Sequence, residues 1–221
     1  MKLLINGLTK FICGFLIIAL LLFLPAGTIN FTDGWIFVCL LFIPIFIMGV
    51  VLLLKAPELL KKRLNGKEEE NTQKGVVAFS AVIFLLGFVL AGLDFRFSWT
   101  NIPKIVKIFF SVIFLLSYGI YAEVMRENAY LSRKIEVQEN QKVVDTGLYG
   151  IVRHPMYSAT ILMFLSIPII LGSWISFVIF LGYPLLIAIR IKNEEDVLSK
   201  QLEGYFEYKQ KVKYKILPFI W

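Results

Sequence analysis

Six stretches of the chain are apolar almost without interruption: Phe11–Gly27, Trp35–Leu54, Val76–Leu93, Ile105–Ala122, Tyr157–Leu171 and Trp174–Ile189. Their hydrophobic positions fall on every face, not on one stripe at helical spacing, and such helices belong in lipid or deep inside a large core. A spanning helix needs about 20 mainly apolar residues, with roughly 17 as a lower limit. The first three stretches meet it, and the fourth runs on into a polar extension. The last two are shorter, contain Pro168 and Pro184, and are joined only by Gly172 and Ser173. They are expected to form a tight helical hairpin. The pattern predicts an all-α polytopic membrane bundle of five to six transmembrane helices.

Composition agrees. Of 221 residues, 58% are hydrophobic and only 18% charged, too little polar material to coat a soluble domain of this size. Charge then orients the bundle. With both termini inside, 20 of the 23 Lys/Arg fall in the cytosolic segments, leaving Arg96, Lys104 and Lys107 outside. That asymmetry follows the positive-inside rule and supports an even number of crossings. The net charge of +7 is accounted for by this topology and by anionic headgroups, with no need of a nucleic acid. Cys13 and Cys39 lie inside apolar stretches and read as packing residues. A single histidine and no CxxC spacing leave no metal site to propose.

The polar segments carry further expectations. Lys55–Lys74 is a cytosolic loop in which Pro57–Arg63 forms a short interfacial helix and Glu68–Glu70 a solvated tip. Pro44 is expected to kink the second span. An outer loop holds Asp94, Arg96 and Trp99. Residues Tyr121–Ser132 continue the fourth helix into the cytosol. Lys134–Val144 alternates with period two around Glu139-Asn140, predicting an extended strand or small hairpin, and Asp145-Thr146-Gly147 signals a turn.

Two constellations carry candidate chemistry. Gly147–Tyr157 places the sole histidine, His154, between Arg153 and Pro155 where a loop enters the fifth helix. Proline suits a first helical turn, the helix start offers donors to an anion, and Arg153 can grip a carboxylate at two points. The second is Arg190–Leu198. Arg190 and Glu194 are four apart and able to pair, while Glu195 is turned by 100° toward another group. That helix is expected to continue through the stripe Leu202, Tyr205, Tyr208 and Val212, which by spacing is a packing face. The Tyr- and Trp-containing end, Lys213–Trp221, suits the headgroup layer. On spacing alone, an ordinary loop and a solvated helix are the better explanations of the two constellations.

Taken together, Arg-His-Pro-Met-Tyr at 153–157, Glu-Glu-x-x-Leu at 194–198, Tyr-x-x-Tyr at 205–208 and Tyr-Lys-Ile-Leu-Pro at 214–218 resemble the isoprenylcysteine carboxyl methyltransferase family, itself related to the membrane phospholipid N-methyltransferases. Val143–Tyr149 and Asn128–Ser132 add to the likeness, which spans about 120–221. The chain departs from the family pattern at Leu148 (usually Pro), Ala159 (commonly Gly) and Lys215 (usually Arg). Lysine keeps the charge but not the planar fork.

The resemblance implies transmembrane helices 1–4 over residues 1–122 and a catalytic subdomain over 123–221 at the cytosolic membrane face. It implies S-adenosylmethionine as cofactor, bound by Tyr149, Arg153, His154, Pro155, Tyr157, Glu194, Glu195, Tyr205 and Tyr208. Catalytic roles fall to Arg190, Glu194 and Glu195, with Glu195 as the base for an amine or thiol acceptor. The acceptor would be lipid-like, an isoprenylcysteine carboxylate or alternatively a phospholipid amine or a thiol. The protein would reside in the cell inner membrane or endoplasmic reticulum, with termini and site cytosolic. Membrane reductases of the sterol type resemble the chain in the same places and would use NADPH, but they are usually longer and commonly carry Asp-Glu where this chain has Glu194-Glu195.

Overall fold

The computed structural model describes residues 2–65, 71–131, 135 and 137–221. Their helices are α1 (Lys2–Ala26), α2 (Thr32–Lys55), α3 (Pro57–Asn65), α4 (Asn71–Phe97), α5 (Lys104–Glu127), α6 (Pro155–Ile170), α7 (Trp174–Phe180), α8 (Gly182–Gln201) and α9 (Tyr205–Lys211), with a 3₁₀ turn at Gly147–Gly150. Five stretches are long and apolar enough to cross a membrane: α1, α2, Gln73–Phe97 of α4, α5, and α7 with α8 over Trp174–Gln201. At 16 residues, α6 is about 24 Å long, short of a hydrocarbon core of about 30 Å. It packs along α5, and Gly172, just beyond its end, lies beside Asp33 and Lys107. The protein is an all-helical, integral membrane bundle.

Lipid tails are as apolar as leucine, so close packing, not hydrophobicity, holds such helices together. Phe84 of α4 meets Phe164 edge-on at 4.8 Å and Phe180 at 5.3 Å. Glycine permits the tightest approaches. A Cβ at Gly92 would sit 2.5 Å from the Leu22 carbonyl oxygen, and one at Gly87 would strike the Phe180 ring. Large apolar side chains such as Leu24, Leu54, Ile105 and Leu185 point outward, where lipid would cover them.

The connections alternate between the two ends. At one end Lys107 pairs with Asp33 at 2.6 Å. Asp94 accepts hydrogen bonds from the Thr100 amide at 2.7 Å and from the hydroxyls of Thr100 and Ser173. Asp94 and Arg96 were expected in a loop but lie in the last turn of α4. The buried Asp94 side chain satisfies the donors of two neighbouring loops, which makes the longer helix worthwhile. The hairpin joint is as expected: Gly172 takes φ +83, where glycine alone is unstrained, and the Ser173 side chain caps α7 by accepting from the Ser176 amide at 3.0 Å.

Four further sequence expectations need correction. α5 ends at Glu127, where Asn128 turns extended, so the fourth helix does not continue through Leu131. The last transmembrane stretch breaks after Phe180, and Pro184 falls in the first turn of α8, where its missing N–H costs nothing. The helix from Arg190 does not run unbroken to Val212. It ends at Gln201, and Gly204 at φ +79 turns the chain into α9, as left-handed glycines do at helix ends. No strand forms among the described residues of Lys134–Val144. The turn at Glu139-Asn140 is there, with the Gln141 amide bonded to the Gln138 carbonyl at 3.1 Å, but side chains partner it instead of a second strand: the Gln138 amide donates to the Gln141 side chain at 2.8 Å. The acidic tip Glu68–Glu70 and residues 132–134 and 136 lie outside the described residues.

Candidate active site

Pro155 at the first position of α6 drives the preceding residue out of helical geometry, and His154 sits at φ −127, ψ 60. This kink frees the backbone of Arg153 and His154 to bond elsewhere. Their amides donate to the carbonyls of Tyr214 at 2.9 Å and Lys215 at 2.8 Å, drawing the C-terminal segment alongside. The Ser158 hydroxyl extends the contact to the Ile216 carbonyl at 2.7 Å.

α8 presents two stripes at four-residue spacing. Ile187, Ile191 and Glu195 are buried, so an acid continues an apolar row. Glu195 Oε1 accepts from Arg153 Nε at 2.7 Å and lies 3.2 Å from His154 Nε2. Lys209 and Lys215 each stand 3.6 Å from Oε2. Arg153 Nη1 donates to the carbonyls of Val212 at 2.6 Å and Lys213 at 2.9 Å. Arg153 and Glu195 are thus a buried pair tying together the entry to α6, α8, α9 and the C-terminal segment. Both Glu195 oxygens are engaged.

The other stripe, Arg190, Glu194 and Leu198, faces a cavity at this end of the bundle. Tyr149, Arg153, His154, Tyr157, Tyr205 and Tyr208 also line it, whereas Glu195 and Pro155 do not. Arg190 and Glu194 are joined through Tyr157. Its hydroxyl accepts from Arg190 Nε at 2.9 Å and donates to Glu194 Oε2 at 2.6 Å. Tyr149 accepts from Asn128 Nδ2 at 2.9 Å, and Tyr208 donates to the Tyr149 carbonyl at 2.7 Å. Tyr205 is 4% exposed, and its hydroxyl has no hydrogen-bond partner among the described residues. Burial, then the charges of Glu195 and Glu194, push that phenol well above its ordinary pKa, so it is a neutral donor throughout the working range.

Some contributors escape sequence reasoning. Gln73, fully buried in α4, accepts from Arg190 Nη1 at 2.8 Å and links the upstream helices to the site. Lys142 and Val143 form part of the wall. The Glu127 carboxylate accepts from the Leu148 amide at 3.0 Å. Gly147, at φ +54, lets it approach where any Cβ would collide. Of these, only Gly147, as a turn residue, and Val143, within the segment that resembles the family, carried a sequence signal.

Buried donors, a carboxylate and five tyrosine rings, Tyr130 among them, around one cavity suit a ligand that is both cationic and hydroxylated. No curated protein matches the chain. Residues 103–204, just under half of the chain, match the family model for phospholipid methyltransferase, and this segment, which contains the entry to α6 and all of α8, is similar to the membrane methyltransferases of that family.

Proposed function

We propose that the protein is an S-adenosylmethionine-dependent methyltransferase acting on a lipid-like acceptor, with the cofactor in the cavity between α6, α8 and α9. The unpartnered buried hydroxyl of Tyr205 carries this reading, because a buried donor without an acceptor is costly unless a ligand supplies one. The donor set fits the cofactor. Glu194 suits an ammonium or ribose hydroxyls, and the faces of Tyr149, Tyr157, Tyr205 and Tyr208 suit a sulfonium cation.

Bound there, S-adenosylmethionine would supply an electrophilic methyl group that leaves a neutral thioether behind. The protein's share is alignment and exclusion of water. Tyr157, held between Arg190 and Glu194, fixes the wall against which ligands align. Arg153 and Glu195 keep the C-terminal segment in place and contact ligand less directly than the sequence motifs alone imply. Should the acceptor be an amine, Glu194 is better placed than Glu195 to take its proton, since Glu194 faces the cavity. A carboxylate acceptor needs no base. The cavity would open to the cytosol, as the basic residues at this end suggest.

Two acceptor chemistries follow. The matched family model is described by phospholipids, which favours a headgroup amine. The Arg-His-Pro and Glu-Glu segments resemble enzymes that esterify isoprenylcysteine carboxylates. Calorimetric titration of the detergent-solubilised protein with S-adenosylhomocysteine and, separately, NADPH tests the class. Binding of the first alone, weakened by Glu194→Ala, is expected; binding of NADPH alone would overturn the proposal. Labelled methyl in the membrane lipid fraction then separates the acceptors, because esters release methanol in base and N-methyl groups do not.

A further inference from the structure

Beyond Ile216 the chain forms an apolar tip that the site does not use. Phe219 is 87% and Ile220 77% exposed, with Leu217 and Trp221 also open. Four apolar side chains on five residues are a poor surface to show to water. Yet part of the tip's backbone is paired within the tip itself. The amides of Ile216 and Leu217 donate to the Trp221 carbonyl at 2.9 and 3.1 Å, and those of Ile220 and Trp221 donate to the Leu217 carbonyl at 3.2 and 3.1 Å. Pro218 has no N–H to satisfy. Internal pairing of this kind is what hydrocarbon demands of a backbone.

Position points the same way. The carbonyls of Tyr214, Lys215 and Ile216 follow the first turn of α6 from Arg153 to Ser158, so the segment heads from the bundle end toward its middle. Ile216 packs with Tyr157, Tyr183 and Ile187, level with the stretch of α8 whose Leu185 and Ile189 face outward. The tip is therefore continuous with the lipid-facing surface of α6 and α8. Four lysines, Lys209, Lys211, Lys213 and Lys215, lead into it. Lys209 and Lys215 stand by Glu195 and Lys211 pairs with Asp145, so Lys213 is the charge best placed for anionic headgroups. Lys215 Nζ lies over the Trp221 ring at 5.1 Å.

We propose that residues 217–221 insert into the same bilayer that holds the helices, at the boundary of headgroups and hydrocarbon. Insertion anchors the segment whose carbonyls occupy Arg153, so the membrane itself helps to close the site.

The test uses full-length protein in nanodiscs containing anionic lipid, with Cys13→Ser and Cys39→Ser, and a nitroxide at Phe219→Cys or, as a second position, Ile220→Cys. Leu185→Cys serves as the lipid-facing control and Lys200→Cys as the aqueous one. Inserted labels are expected to be relaxed by oxygen more than by a water-soluble nickel chelate, as at Leu185. Nickel access like that at Lys200 would place the tip in water and overturn the proposal. Immobilisation with access to neither relaxant would show a protein surface covering it, a second copy or another partner, and would overturn it equally.

Discussion

Tyr205→Phe should separate stability from ligand affinity. The substitution removes one oxygen and leaves the ring in its packing with Leu202, Tyr208 and Val212. In the free protein that oxygen is buried without a hydrogen-bond partner among the described residues, a condition that costs about 1–3 kcal/mol. Deleting it should relieve part of that cost. For a chain of this size each kcal/mol moves the unfolding midpoint by about 2–4 °C, so the unliganded variant should melt several degrees higher. With ligand bound, the same hydroxyl becomes a neutral hydrogen bond of about 0.5–1.5 kcal/mol, and its loss should weaken S-adenosylhomocysteine by about two- to tenfold. Thermal unfolding in detergent, with and without S-adenosylhomocysteine, together with titration calorimetry, reads both numbers. A variant that melts lower when free and binds as tightly as the parent would refute the reasoning, because the hydroxyl would then have a partner within the protein.

Glu195→Ala leaves Arg153 buried without its countercharge, held only by the carbonyls of Val212 and Lys213, and breaking one side of such a pair costs about 3–5 kcal/mol; a double-mutant cycle with Arg153→Ala should show strong non-additivity in thermal unfolding. Gly147→Ala forces a Cβ against the Glu127 carboxylate at positive φ and should lower stability by about 1–3 kcal/mol, measurable in the same melts. Burial raises the Tyr149 phenol to about 12, the Asn128 hydrogen bond opposing it and the charges of Glu194 and Glu127 adding to it. An unfolded tyrosine ionises near 10, so the contribution of Tyr149 to stability is complete below pH 10 and is lost as pH rises toward 12. Alkaline unfolding should be postponed in Tyr149→Phe, and an unchanged alkaline midpoint would contradict this.

The helices were legible because lipid imposes one requirement on every span, and apolar length reveals it. The joint at Gly172-Ser173 and the short helix after Lys55 were equally plain, since glycine, serine and proline act locally. The two motif segments were visible as well, and the structure brings both to one end of the bundle. Their inner arrangement was not visible. Four-residue spacing says that Glu194 and Glu195 face different ways, but not which neighbour each meets. That Glu195 falls in register with Ile187 and Ile191 was a readable sign of burial. Arg153 bonds to the carbonyls of Val212 and Lys213, and carbonyls are alike at every residue, so nothing in the sequence marks them as partners. Gln73 reaches Arg190 across more than one hundred residues and looked like any polar residue at the edge of a span. The period-two alternation of Lys134–Val144 misled because alternation alone supplies no second strand to pair with.

Photo-crosslinking of radiolabelled S-adenosylmethionine to the purified protein, followed by mapping of the labelled peptides, locates the cofactor directly. Label is expected in peptides covering Tyr149–Tyr157 and Glu194–Tyr208, competed away by S-adenosylhomocysteine and reduced in Glu194→Ala. Competable label confined to other segments would move the cofactor away from this cavity, and the absence of any competable label would remove the methyltransferase proposal itself.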